Sequence, residues 1–177
     1  MFVDHTVESA PPASRRLMTA TAEHRGYIPA AVARLAESPQ LLTGFLKASG
    51  LFEGASLDPL AREVVIMTIA TRNGCDLCVA MHTERLGALG ADPGLVAALR
   101  AGDPPADERL DAVRVFTLAL LASAGAVTDE ELAAFQRHGF TAENALEVVL
   151  GIGTYTMSTL ANRLVRAPID AQISQYA

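Results

Sequence analysis

The sequence predicts an all-α fold, and three observations carry that expectation. Alanine and leucine dominate a chain that is 50% hydrophobic and 19% charged, while β-branched runs stay short, a balance that favours helix over sheet. Helix-start signals recur at Ser38-Pro39, Asp58-Pro59 and Asp92-Pro93, where a capping side chain precedes a proline whose missing N–H costs least at the first helical position. Stop signals, Gly26, Gly50, Asn73-Gly74, Gly90 and Gly102, follow at helical spacings. At 177 residues one domain with a sizeable core is expected, 1–177, with 1–56 an N-terminal helical extension and 57–177 the core.

Taken in order, residues 1–13 end in Pro11-Pro12 without a clear period and read as an extended lead-in, with a neighbouring subunit as one place for it to pack. Helices follow over Ser14–Arg25 and, beginning at Pro29, to Glu37. The third helix opens at Ser38-Pro39 with an apolar face of Leu41, Leu42, Phe45 and Leu46 and is expected to stop at Gly50, leaving Leu51 to Ser56 as a loop. Asp58-Pro59 starts a helix to about Arg72, Cys75 to Leu89 forms the next, and Asp92-Pro93 a short one ending near Ala101-Gly102. Asp107 to about Ser123 buries Val113, Phe116 and Leu120, and Thr128 to Glu131 has the form of a capping box. Thr141 opens the last long helix, to about Arg166 before Pro168. Its Gly151 and Gly153 would each cost about 1 kcal/mol relative to Ala if exposed, so close helix or subunit contact is their expected reason.

A net charge of −6 and a pI near 5.1 exclude the concentrated cationic face that nucleic acid requires. Met1 to Ala10 carries Asp4 and Glu8 and no apolar run, so it is not a secretory signal and a cytoplasmic location is expected. Val115 to Val127, nearly uncharged, has 13 residues, short of the roughly 20 that span a bilayer, and reads as a core helix with no membrane role.

The chemistry concentrates between Glu63 and His82. Both cysteines lie there, Cys75 and Cys78, with His82 four residues after the second. On a helix starting near Cys75, residues advance by about 100°, which puts Cys75, Cys78 and His82 within roughly 60° of one another. The unpaired N–H groups at that helix start favour thiolate over thiol. If the preceding helix folds back through Asn73-Gly74, Glu63 lies about 15 Å below the turn and His82 about 12 Å, nearly level. A carboxylate followed by Val64, Val65, Ile66 and Met67 is in apolar company and needs a partner, so Glu63, His82 and a thiol form a candidate proton relay. Spacing alone leaves three readings of C-x-x-C open, with redox chemistry ahead of metal binding and ordinary core cysteines. A structural zinc site wants four ligands, and His5, His24 and His138 are scattered, so these three read as surface or capping residues and neither metal nor cofactor is expected.

Glu63, eleven residues, Cys75-Asp-Leu-Cys78, three residues and His82 together resemble the signature of the alkylhydroperoxidase D-like, carboxymuconolactone decarboxylase superfamily. The match covers about twenty residues, and Gly151 to Tyr155 with Leu160 to Arg163 also looks like that superfamily's C-terminal helix. The resemblance implies an alkylhydroperoxidase D-like helical bundle with the C-x-x-C motif at a helix N-terminus, assembled as a trimer or hexamer, with a thiol peroxidase site. It implies that Cys78 attacks peroxide, that Cys75 resolves the sulfenic acid as a disulfide, and that Glu63 and His82 relay protons. Electrons would come from a dithiol or lipoyl-bearing partner. Some members carry a further histidine just before the second cysteine; Leu77 stands there in this chain, which shortens the relay. The decarboxylase branch lacks the cysteine pair, so lactone decarboxylation ranks as an alternative, beside a non-catalytic redox sensor or scaffold on the same fold.

Overall fold

The computed structural model describes residues 2–177. Nine α-helices and one 3-10 helix are the regular elements among them, and no strand occurs among the described residues. They are α1 Pro12–Arg25, α2 Ala30–Leu35, α3 Pro39–Glu53, α4 Pro59–Arg72, α5 Asp76–Ala88, α6 Pro93–Ala101, α7 Glu108–Ser123, α8 Asp129–Arg137 and α9 Ala142–Leu164, with a 3-10 helix over Ala171–Tyr176.

The central element is α4. Asp58 caps it by accepting from the Ala61 amide at 2.9 Å, and Pro59 occupies its first turn. Every side chain from Glu63 to Ala70 is buried, leaving no face for solvent, and α3, α5, α6, α7 and α9 pack around it. Val64, Val65, Ile66, Met67 and Ile69 share one apolar cluster with Leu110, Val113 and Phe116 of α7 and with Val148 and Tyr155 of α9. The capping boxes at Thr128 and Thr141 are both formed, which fixes the starts of α8 and α9.

Helix α9 reaches α4 closely because Gly151 has no side chain. A methyl group built there would lie 2.7 Å from Phe52 Cζ and 3.0 Å from Val65 Cγ1, whereas one at Gly153 would meet nothing within 4 Å. The two glycines therefore separate in their effects. Gly151→Ala is expected to destabilise by about 1–3 kcal/mol through overpacking against the fully buried Phe52 ring, while Gly153→Ala is expected to be neutral or to stabilise by up to about 1 kcal/mol. Thermal unfolding of the two variants checks this; equal melting temperatures would contradict it.

Farther up α9, Glu147 ties the helix to the chain entering α4. Its carboxylate accepts from the Ser56 and Leu57 amides at 2.5 and 2.9 Å and from Asn144 Nδ2 at 3.0 Å. Burial alone pushes this carboxyl up, but these donors outweigh it and hold it below the usual carboxylate range. The echo between Glu63-Val-Val-Ile66 and Glu147-Val-Val-Leu150 thus joins two glutamates with different work.

Several boundaries differ from expectation. Helix α3 runs through Gly50 to Glu53, because Phe52 on its last turn is anchored in the core. The segment before α1 packs on its own chain: Ala10 is buried, Asp4 pairs with Arg34 at 2.6 Å, and His5 meets Glu37 at 2.7 Å. The 3-10 helix after Pro168 has no sequence periodicity to announce it; its Ile173 is fully buried against α5.

Candidate functional site

The α4–α5 hairpin assembles the site. Gly74 adopts φ +61° in the connection, a conformation that a side chain would strain, and the Cys75 amide donates to the Ala70 carbonyl at 2.9 Å. From α9, the Arg163 guanidinium donates to the Asn73 carbonyl and braces the turn. Cys75 then caps α5, its sulfur accepting from the Cys78 amide at 3.4 Å.

Cys75 and Cys78 are joined as a disulfide, with their Cα atoms 5.3 Å apart, and both are buried. They lie in an apolar cluster with Ala31, Ala70, Leu77, Ala80 and Ile173, so the 3-10 helix sits over the motif. Arg100 helps hold that segment, donating to Thr83 Oγ1 at 3.0 Å and to the Tyr176 carbonyl at 2.6 Å.

Folding the hairpin brings Glu63 and His82 together across it: Glu63 Oε2 and His82 Nδ1 are 2.7 Å apart. Glu63 is only 6% exposed, so the imidazole supplies the partner that a buried carboxyl requires. His82 follows Cys78 by one helical turn on the same face of α5. The other histidines stand apart from this group: His24 is exposed in the last turn of α1, His138 is the C-cap of α8, and His5 bonds Glu37. Asp76 and Arg85 are exposed, and Glu84 pairs with Arg25 at 3.1 Å.

Two side chains of α9 that the sequence motif does not point to complete the surroundings. Tyr155 packs edge-on against His82, with centroids 5.4 Å apart, and its hydroxyl lies 3.3 Å from Ser49 Oγ. Burial pushes the phenol up to about 12; the Ser49 bond opposes this and the nearby Glu63 carboxylate adds to it, so Tyr155 stays protonated. Asn162 Nδ2 donates to Cys78 Sγ at 3.4 Å. Tyr155, Ser158 and Asn162 recur at i, i+3 and i+7, a polar stripe on a mostly apolar helix that would have been the signal for both.

Two disulfide-bonded cysteines at the start of α5 thus stand beside a partly buried carboxyl–imidazole pair within a helical bundle. Residues 36–117 match the model of the Carboxymuconolactone decarboxylase family. The fold matches an uncharacterized peroxidase-related protein of Ralstonia eutropha JMP134, described as an alkylhydroperoxidase AhpD core, with a TM-score of 0.85 at 18% identity, over 97% of this chain and 93% of that one. A peroxidase-related protein of Silicibacter sp. TM1040 matches with a TM-score of 0.81 at 18% identity, over 99% of this chain and 95% of that one. The debrominase Bmp8, solved as a cysteine-to-alanine variant in complex with 2,3,4-tribromopyrrole, matches with a TM-score of 0.70 at 16% identity, over 93% of this chain and 89% of that one. No curated protein matches the sequence. The family model thus matches somewhat under half of the chain, and the whole fold is that of the alkylhydroperoxidase D-like structures.

Proposed function

We propose that the chain is a thiol-dependent peroxidase or disulfide reductase that reduces hydroperoxides through Cys75 and Cys78, acting in the cytoplasm as a homo-oligomer. The observation that carries this reading is the 2.7 Å Glu63–His82 pair set one helical turn from Cys78, itself bonded to Cys75. In the reduced protein the Cys78 thiolate attacks the terminal oxygen of the hydroperoxide; the O–O bond breaks, the sulfur becomes a sulfenic acid, and the leaving alkoxide takes a proton from His82. Glu63 holds the imidazole in place and offsets the charge it gains and loses. Cys75 then attacks the sulfenic sulfur, the S–S bond forms and water leaves. A dithiol donor restores both thiols and is itself oxidised to a disulfide.

No helix among the described residues is long and apolar enough to cross a membrane. The resemblance to a debrominase is one of fold alone. Sustained turnover tests the proposal: hydroperoxide should be consumed catalytically with dihydrolipoamide or another dithiol. A protein that oxidises once and stops is a sensor or scaffold instead, and lactone decarboxylation that survives loss of both cysteines would assign the other branch.

A further inference from the structure

Two sulfurs compete for the role of nucleophile, and each has one N–H donor. Cys75 Sγ accepts from the Cys78 amide at the start of α5, and Cys78 Sγ accepts from Asn162 Nδ2 of α9, both at 3.4 Å. The helix N-terminus favours charge on Cys75, which caps it. The Asn162 amide favours charge on Cys78.

Asn162 is 5% exposed, and its Nδ2 also lies 3.4 Å from Ser158 Oγ, one turn earlier on α9. Its Oδ1 is buried and has no hydrogen-bond partner among the described residues. A disulfide sulfur is a weak acceptor, so the Asn162 contact is at its weakest in that form, whereas a thiolate turns the same contact into a charge-assisted bond. Buried among Ala31, Ala70, Leu77 and Ile173, a thiolate without such a donor would be poorly solvated.

We propose that the Asn162 side-chain amide stabilises the Cys78 thiolate and so makes Cys78, rather than the helix-capping Cys75, the attacking sulfur, with Ser158 positioning the amide. This rests on the thiol peroxidase reading for its consequence, but it concerns the ionisation of one sulfur and can be measured without peroxide.

The test uses reduced protein carrying Cys75→Ser, so that Cys78 is the only thiol, and follows the pH dependence of its alkylation by iodoacetamide. Replacing Asn162 by Leu, of similar size but without the donor, should raise the apparent Cys78 pKa by about one to two units, a roughly 10- to 100-fold loss of thiolate near neutral pH. Asn162→Asp, which keeps the shape and adds a carboxylate, should raise it further, and Ser158→Ala should raise it less. An unchanged or lower pKa in Asn162→Leu with an intact fold by circular dichroism overturns the proposal. A second measurement needs no altered Asn162: in the reduced protein, the Asn162 side-chain NH2 resonances should titrate with the Cys78 midpoint, and resonances that do not move across that midpoint overturn it equally. A shifted alkylation profile in a protein that fails to reduce any hydroperoxide would uphold this inference while removing the peroxidase reading.

Discussion

Cys78→Ser is expected to consume no hydroperoxide above the uncatalysed background while keeping its fold. The serine hydroxyl is nearly isosteric with the thiol but is not ionised at neutral pH and cannot form the sulfenic acid, so the first covalent step has no nucleophile. Stability should change little, since the replaced sulfur is an ordinary small buried group in the reduced chain. Cys75→Ser should behave differently: one equivalent of hydroperoxide is reduced, and the product is a sulfenic acid on Cys78 that no internal thiol resolves. A hydroperoxide assay with a dithiol donor, paired with mass spectrometry of the single-turnover product, separates the two variants. If Cys78→Ser turned over while Cys75→Ser lost the first step, the roles of the two sulfurs would be reversed.

The second large effect is expected at the relay. Glu63→Gln keeps the shape of the side chain and a hydrogen bond to His82 but removes the carboxylate that holds and balances the imidazole. Loss of a positioned acid–base group lowers rates by roughly 10²–10⁴-fold, about 3–5 kcal/mol of barrier. Glu63→Gln is the better probe than His82→Ala, because removing the imidazole leaves a buried carboxylate alone at a cost of about 3–5 kcal/mol in stability. Steady-state kinetics beside a melting curve distinguishes the cases: kcat should fall by at least a hundredfold in Glu63→Gln, with the disulfide still forming slowly. A wild-type rate in Glu63→Gln would reduce the 2.7 Å pair to a structural contact.

What the sequence made legible was local. Asp58-Pro59, Asn73-Gly74 and Cys75 each act on their own neighbours, by capping, by a left-handed turn and by opening α5, and together they set the α4–α5 hairpin and hence the meeting of Glu63 with His82. Helix phase did the rest, since it needs only residue spacing. The features that stayed hidden depend on distant chain segments. Gly50 fails to stop α3 because Phe52 is gripped by Gly151 and Val65, about a hundred and about a dozen residues further on. Ile173 lies in a short segment with no period, and only the apolar roof of the cysteine pair explains its burial. Asn162 looks like one polar position in an apolar helix until α9 crosses the start of α5 and sets its amide on Cys78. Fold class and the meeting of Glu63 with His82 beside the cysteine pair could therefore be read in advance, while the neighbours brought in by α9 and the 3-10 helix needed tertiary structure.

If the proposed chemistry holds, Cys75 and Cys78 act together on a peroxide. Fully reduced protein treated with one equivalent of hydroperoxide, then analysed by thiol titration and intact mass, tests it most directly. Both thiols should disappear, the mass should fall by two hydrogen atoms with no oxygen retained, and a dithiol should restore the starting protein. Two free thiols persisting after the peroxide is added would contradict it.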